Sequence, residues 1–244
     1  MVSYFPSLDG MRLAYREVGE GRPLVLLQGM TGDGTLWLDQ AKAFASHGYR
    51  VVLPDFRGHG QSAKPHDAAA YPPDILTDDG FALLEHLGLD DYDLGGYSLG
   101  ARIAVRMLVR GATPRRAVVA GQGLREVLGI GGGAGARLRR LINGLGSSDG
   151  PAEQWFRSSG EDPVALLHVL DSIVATPVEP VRGVQVPTLV VMGADDERRP
   201  SADELVAVLP RATLVVVPGN HATAVAAPEL VTAVISFLDS STVD

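Results

Sequence analysis

Ser98 stands between two glycines in the stretch DLGGYSLGAR, which covers residues 93–102. Gly96, Ser98 and Gly100 match the pattern Gly-x-Ser-x-Gly, in which a sharp turn between a strand and a helix lifts a serine clear of the backbone. A serine hydroxyl attacks an acyl carbon efficiently only when a neighbouring base takes its proton. A strand-to-helix turn built from small residues would give the same short pattern, so the rest of the chain has to decide between the two explanations.

A base and an acid for such a serine follow later predicted strands. His221 comes directly after the last apolar run of the chain, and Asp195 and Asp196 come directly after the run before it. A catalytic imidazole needs a carboxylate that fixes its tautomer and stabilises its protonated form. We favour Asp196 over Asp195 for this role. The alternative is that both acids only solvate their loop or cap the helix that follows.

Short apolar runs alternate with helical patterns along most of the chain. Runs rich in Val and Leu and nearly free of charge predict buried strands at 23–29, 50–55, 92–98, 116–123, 187–193 and 212–219. Helices are predicted between them, near 36–46, 74–87, 99–110, 201–208 and 228–239. This alternation predicts an α/β fold with a mostly parallel sheet of about eight strands and helices on both faces.

Two segments depart from this alternation. Near the N-terminus, two β-like runs flank the turn signal Asp9-Gly10 and predict an antiparallel hairpin at the edge of the sheet. Residues 124–182 contain a glycine-rich stretch and short helical patterns but no convincing strand. We expect this insert to form a small helical cap, or lid, over the carboxyl edge of the sheet. The predicted core domain then comprises residues 1–123 and 183–244.

The composition excludes several classes of function. A hydrophobic content of 45% and a charged content of 20% are typical of a soluble globular chain. The formal charge of −8 leaves no basic surplus for phosphates, so no nucleic-acid partner is expected. Cysteine is absent, which excludes cysteine nucleophiles and thiolate metal sites. No signal peptide and no membrane span are indicated. We therefore expect a cytoplasmic protein, monomeric by default, that acts on a small-molecule substrate.

In chain order, Ser98, Asp196 and His221 each follow a different predicted strand, and over essentially its whole length the chain resembles the α/β-hydrolase superfamily. The stretch LVLLQGMTGDGTLW resembles the family's strand and oxyanion loop, and GYRVVLPDFRGHGQSAKP resembles its next strand and Gly-His-Gly-x-Ser turn. The stretch MGADDERRP resembles the family's acid loop, in which the spacing from Gly193 points to Asp196.

The resemblance implies a serine hydrolase that cleaves a carboxylic ester or lactone of a small, largely apolar substrate through an acyl-enzyme on Ser98. No metal or organic cofactor is implied. Backbone N–H groups of Met30 and Leu99 would form the oxyanion hole. Family members commonly carry His-Gly in this loop, whereas Gln28-Gly29 stands here. The Gln28 side chain retains the ability to hydrogen-bond nearby backbone.

Other activities on this fold stay open at this point. The same triad serves C–C bond hydrolysis, thioester cleavage, aminopeptidase activity and cofactor-free perhydrolysis, and the sequence does not separate them. Relatives with dehalogenase or epoxide-hydrolase activity place Asp at the nucleophile position, so Ser98 disfavours both. A ligand-binding receptor with little turnover is the alternative from a different class, because fold alone does not give function.

Candidate substrate-pocket residues lie near the oxyanion loop and in the insert. They are Gln28, Trp37, Trp155 and Phe156. Packing of the first helix or of the insert onto the core is the competing explanation for the aromatic residues. The arginines of the insert, Arg137, Arg139 and Arg140, are expected to lie on a solvated helix face rather than against a substrate.

Overall fold

The computed structural model describes residues 1–130, 133–144, 154 and 158–240 of the chain. Within these residues, eight strands form one sheet. In chain order they are β1 (Val2–Pro6), β2 (Arg12–Val18), β3 (Arg22–Leu27), β4 (Tyr49–Pro54), β5 (Asp93–Tyr97), β6 (Ala117–Ala120), β7 (Thr188–Gly193) and β8 (Ala212–Val217). Every strand predicted from the sequence is present, with its ends shifted by no more than a few residues.

The α-helices are numbered in the same way within the described residues. They are α1 (Leu38–Ala45), α2 (Ile75–His86), α3 (Leu99–Val109), α4 (Leu124–Val127), α5 (Gly133–Asn143), α6 (Pro163–Ser172), α7 (Val178–Arg182), α8 (Arg199–Val208) and α9 (Pro228–Asp239). The five helices expected outside the insert correspond to α1, α2, α3, α8 and α9. Pro228 at the first position of α9 is favoured there because its missing N–H has no intrahelical acceptor to lose.

The spatial order of the strands is β1-β2-β4-β3-β5-β6-β7-β8. The strands β1 and β2 pair antiparallel, with Phe5 opposite Leu13, and β2 also pairs antiparallel with β4. The remaining neighbours are parallel. Gly10 in the turn of the hairpin has a φ of 81°, a conformation that glycine adopts without steric cost. The predicted fold class is therefore confirmed, including the N-terminal hairpin.

Both faces of the sheet are covered by helices. On one face, Phe44 of α1 and Leu230 of α9 pack against Leu26 of β3 and other strand residues. On the opposite face, Leu83 of α2 and Ile103 of α3 pack with residues that include Val25, the neighbour of Leu26. Successive side chains of a strand point to opposite faces, so a run without polar residues supplies apolar surface to both helix layers.

The helices between β6 and β7 divide into two groups. Val127 of α4 and Val181 of α7 belong to the same buried cluster as residues of α3 and α8, so these two short helices pack with the core. Leu138 of α5 and Leu166 of α6 belong to a separate small cluster. The division into a core and a cap at residues 124 and 182 stays a prediction, in which α5 and α6 are the part expected to cover the sheet edge.

Candidate active site

The predicted catalytic residues meet at the carboxyl edge of the parallel strands. Ser98 follows β5, Asp196 lies in the loop after β7, and His221 lies in the loop after β8. The loop after β3, which contains Gln28 and Met30, reaches the same edge. Parallel strands bring all of their carboxyl ends to one side, and for this reason residues far apart in the chain come together there.

The turn at Ser98 requires small neighbours. Ser98 has a φ of 54°, a left-handed value that costs a non-glycine residue of order 1–3 kcal/mol and persists only where the surroundings enforce it. A Cβ atom at Gly96 would collide with the backbone of Gly100, and one at Gly100 would collide with the carbonyl oxygens of Leu27 and Gln28. The two glycines therefore permit α3 to begin directly against the sheet, with Ser98 at the turn.

A continuous hydrogen-bond chain links the three side chains. His221 Nε2 lies 2.9 Å from Ser98 Oγ, and His221 Nδ1 lies 2.8 Å from Asp196 Oδ2. With the proton of a neutral imidazole on Nδ1, donation to the carboxylate leaves Nε2 free to accept the proton of the serine hydroxyl. The geometry thus joins a hydroxyl, an imidazole and a carboxylate in the order that serine-dependent acyl transfer requires.

Asp196, rather than Asp195, contacts His221. The Asp195 side chain is exposed, whereas Asp196 is only 4% exposed. Burial opposes ionisation of Asp196, but hydrogen bonds from His221 and from the Arg198 backbone N–H, together with the charge of Arg198, hold its pKa below the usual value. The second carboxylate oxygen accepts from Arg198 N at 3.0 Å and from an Arg198 guanidinium nitrogen at 3.1 Å. The carboxylate is therefore charged and fixed in position.

Tyr97, which sequence reasoning did not single out, fixes the histidine loop. Its hydroxyl donates a 2.7 Å hydrogen bond to the backbone carbonyl of His221, and the two rings lie 5.5 Å apart between centroids. Burial raises the pKa of the Tyr97 hydroxyl, so it stays a protonated donor. Nothing in the local sequence indicates this contact, because it joins residues 124 positions apart.

The loop after β3 is held by buried polar contacts. Gln28 is completely buried; its amide Nε2 donates to the Gly32 carbonyl at 2.9 Å, and its Oε1 accepts from Phe56 N at 3.3 Å. His59 is also buried and lies 2.8 Å from the Met30 carbonyl through Nε2. Through this contact His59 ties the loop after β3 to the turn after β4. Gln28 therefore shapes the loop from beneath and does not line a pocket.

Met30 and Leu99, the predicted oxyanion donors, both border the cavity above Ser98. Leu99 is the first residue of α3, and the first N–H groups of a helix have no acceptor within the helix. Its N–H is therefore available to a ligand at the helix N-terminus, where the helix dipole also favours negative charge.

The cavity above Ser98 has a volume of about 720 Å³. Its wall combines polar residues around the serine with apolar residues of the insert, among them Leu138, Leu170 and Ile173. Trp37 does not contribute: its ring is buried in the core, and its indole N–H donates to the Leu27 carbonyl at 3.0 Å. The alternative expectation, that Trp37 belongs to the buried side of the first helix region, matches this position.

The predicted pocket residues Trp155 and Phe156 lie outside the described residues, as does the side chain of Arg137. Arg140 is exposed, in agreement with a solvated position, whereas Arg139 forms an ion pair with Asp171 and also borders the cavity. The Arg139 side chain is 40% exposed, so a solvated helix face stays the prediction for these arginines.

Among the described residues, no group of three or more His, Asp or Glu side chains is placed to hold a metal ion. No helix in this part of the chain has the length and hydropathy needed to cross a bilayer.

Comparison with known proteins agrees with this fold. A family profile described as "alpha/beta hydrolase fold" matches residues 22–120. A non-heme haloperoxidase of Rhodococcus erythropolis is 28% identical over 95% of this chain and 97% of its own length. A non-heme chloroperoxidase of Kitasatospora aureofaciens is 38% identical, over 44% of this chain and 38% of its own length. Seven of the curated relatives that the chain matches, this chloroperoxidase among them, are covered over only 30–40% of their length.

Among solved structures, the enol-lactonase of Burkholderia xenovorans LB400 superposes with a TM-score of 0.78 at 22% identity, over 98% of this chain and 100% of that one. At this identity the likeness concerns the fold. The sheet order, the turn at Ser98 and the profile match over residues 22–120 together define the class of protein by its fold: the chain has the α/β-hydrolase fold.

Proposed function

We propose that the chain is a serine hydrolase that cleaves a carboxylic ester or lactone of a small molecule through an acyl-enzyme on Ser98. The observation that carries the proposal is the hydrogen-bond chain from Ser98 Oγ through His221 to Asp196, at 2.9 and 2.8 Å. The enol-lactonase named among the structural neighbours and the apolar part of the cavity wall support it. In this proposal α5 and α6 form a cap that encloses the substrate.

The proposed reaction has two halves. Ser98 Oγ attacks the acyl carbonyl while His221 Nε2 takes its proton, and the oxyanion is bound by the N–H groups of Met30 and Leu99. His221 then gives the proton to the leaving alkoxide as the C–O bond breaks. In the second half, His221 takes a proton from water as the water attacks the acyl carbon, and then returns that proton to Ser98 Oγ as the acyl C–O bond breaks and the carboxylic acid leaves. Asp196 stabilises the imidazolium in both halves.

A second candidate activity is perhydrolysis, in which hydrogen peroxide replaces water in the second half and releases a peracid. The observation that favours it is the name of the relative covered over nearly its whole length, a non-heme haloperoxidase. Adding hydrogen peroxide to the ester assay and measuring peracid formation separates the two: a hydrolase yields only the carboxylic acid.

The test of the main proposal is steady-state hydrolysis of p-nitrophenyl esters from acetyl to decanoyl by the wild type and by Ser98→Ala. We expect the variant to lose activity by at least 10³-fold, because residues of a triad act as a unit. Ser46→Ala is the matched control, since the Ser46 hydroxyl is exposed and bonds only local backbone and its neighbour His47. Mass spectrometry after a fluorophosphonate probe should locate one adduct on Ser98.

Equal ester turnover by the wild type and Ser98→Ala would overturn the nucleophile assignment. Stoichiometric labelling of Ser98 with no turnover of any ester or lactone would instead favour the receptor alternative, in which ligand reacts once and is retained.

A further inference from the structure

Arg102 is a partly buried charge of the cavity that the proposed reaction does not use. It lies on α3, and its backbone N–H donates to the Ser98 carbonyl at 3.1 Å, so its side chain starts one helical turn beyond the nucleophile. Residues four apart on a helix share a face, which places Arg102 and Ser98 on the same side of α3. Both side chains border the 720 Å³ cavity.

The guanidinium of Arg102 is poorly satisfied by the protein. Its Nε is buried without a hydrogen-bond partner, and one terminal nitrogen makes only a long, 3.4 Å contact with the Val174 carbonyl. No carboxylate of the described residues lies within 4 Å of it. Burial accordingly lowers the pKa of Arg102, and the charge of Glu126 only partly opposes that effect. A cation that has lost part of its hydration normally has a paired anion, and the Arg102 guanidinium has none among the described residues.

The other charged groups at the cavity are already engaged. Arg198 pairs with Asp196, and Arg139 pairs with Asp171. Glu126 accepts hydrogen bonds from Gly123 N and from the Ser201 hydroxyl. Among the described residues that line the cavity, Arg102 is therefore the cation that has no carboxylate partner and can pair with a ligand. The protein as a whole has a net charge of −8, so the positive charge of Arg102 at the cavity is a local feature.

A second polar group in the same wall also lacks a partner. Gln122 follows β6 and is 6% exposed, and its Oε1 is buried with no hydrogen bond. An amide can turn to present either its oxygen or its two N–H donors. Together, Arg102 and Gln122 give the cavity an unsatisfied polar region within a wall that is otherwise largely apolar toward the insert.

We propose that Arg102 binds a carboxylate carried on the acyl part of the substrate, a few methylene groups from the carbonyl that Ser98 attacks. Gln122 adds a hydrogen bond to the same end of the substrate. The inference rests on the proposed ester or lactone hydrolysis and narrows its substrate class from neutral acyl chains to ω-carboxyacyl chains. Arginine suits this role because its planar guanidinium can donate two parallel hydrogen bonds to one carboxylate.

The kinetic test compares two esters of equal chain length, mono-p-nitrophenyl adipate and p-nitrophenyl hexanoate. The measured quantity is the ratio of their kcat/KM values in each protein. We expect Arg102→Gln to lower the adipate-to-hexanoate ratio by about 10- to 100-fold, mainly through KM, since a hydrogen bond to a charged group contributes on that scale. Arg102→Lys should retain an intermediate ratio because it keeps the charge without the planar fork.

Arg110→Gln is the matched control. It removes the same charge at the C-terminal end of the same helix, but Arg110 pairs with Asp74 and Asp78 and is not among the residues that line the cavity. The adipate-to-hexanoate ratio of kcat/KM in Arg110→Gln should stay within twofold of the wild-type ratio. An unchanged ratio in Arg102→Gln, or an equal fall in Arg110→Gln, would overturn the proposal.

A binding measurement tests the role of Arg102 without depending on whether the protein is a hydrolase. Calorimetry with monomethyl adipate should show at least tenfold weaker binding to Ser98→Ala/Arg102→Gln than to Ser98→Ala, with thermal midpoints confirming that both are folded. If no ester is turned over by the wild type, the hydrolase proposal fails while this comparison still decides the role of Arg102. Equal binding by the two proteins would overturn the assignment of Arg102 whatever the kinetics show.

Discussion

The hydroxyl of Tyr97 donates a 2.7 Å hydrogen bond to the backbone carbonyl of His221. Tyr97 ends β5 and immediately precedes Ser98, so one residue of the nucleophile strand directly holds the loop that carries the histidine. The spacing between the serine and the histidine therefore depends on this contact as well as on their own hydrogen bond.

Tyr97→Phe removes this one hydrogen bond and keeps the ring. We expect kcat to fall about tenfold with little change in KM, because the histidine loop is less precisely placed and proximity effects are sensitive to small displacements. Steady-state kinetics on the best ester measures the effect. Tyr92→Phe makes the same atomic change at the start of β5, far from the site, and should leave kcat within twofold. An unchanged kcat in Tyr97→Phe would show that the loop is held by other contacts.

Gln28→Leu keeps the approximate side-chain volume but removes both hydrogen bonds of the buried amide. Phe56 N then loses its partner, which costs about 1–3 kcal/mol for a buried group left unsatisfied, and the exposed Gly32 loses the hydrogen bond that ties its carbonyl to the loop. We expect a lower thermal midpoint and, at 25 °C where the protein is still folded, a reduced kcat, since the loop positions the Met30 N–H. A drop in stability with kcat intact would separate Gln28 from the oxyanion loop.

Arg57 forms a buried ion-pair cluster that supports the turn beside the site. Its guanidinium is bidentate to Asp79, at 2.9 and 3.0 Å, and also contacts Asp9. Asp79→Ala should lower the free energy of unfolding by about 3 kcal/mol, because it leaves part of a buried charge uncompensated. Urea denaturation of the wild type and the variant measures this change in the free energy of unfolding. The control Asp39→Ala breaks an exposed pair with Lys42 and should cost less than about 0.5 kcal/mol. Similar losses in both variants would contradict the argument.

Asp74 links stability to pH. Burial opposes its ionisation, but hydrogen bonds from Arg106 and Thr77 and the charges of Arg106 and Arg110 outweigh burial and hold its pKa below the usual 3.8. A lowered folded-state pKa stabilises the protein above the unfolded-state pKa and loses that contribution as the pH falls toward the folded value. Asp74→Asn should therefore be less stable by about 1–2 kcal/mol at pH 7, with the difference shrinking below pH 4.

Asparagine is the suitable replacement because Asp74 has a φ of 71°, which Asn tolerates better than most residues. Urea midpoints at pH 7, 5, 4 and 3 give the comparison. A stability difference that stays constant over this range would assign the loss to packing rather than to the charge of Asp74.

Much of the fold could be predicted because its signals are local. Uncharged runs of Val and Leu such as 187–193 form strands wherever two apolar faces must be covered, and the turn at Asp9-Gly10 folds back on its neighbours. The candidate triad followed from the same logic, since Ser98, Asp196 and His221 each come directly after a strand. Parallel strands deliver such residues to one edge whatever their separation in the chain.

The residues that sequence reasoning placed wrongly or missed depend on packing between distant segments. Trp37 is a large aromatic residue close to the oxyanion loop in the sequence, which suggested a place in the pocket. In the structure its ring packs in the core and its N–H donates to the Leu27 carbonyl. In the sequence, Arg102 looks like any arginine on a helix, and only the fold places it, partly buried, at the same cavity as Ser98 without a counter-ion. The amino-acid sequence by itself thus determined the elements, their order and the chemistry available at the strand ends. The tertiary structure alone decided which side chains face the cavity and which lack partners, because burial and hydrogen bonding between distant residues exist only once the helices have packed onto the sheet.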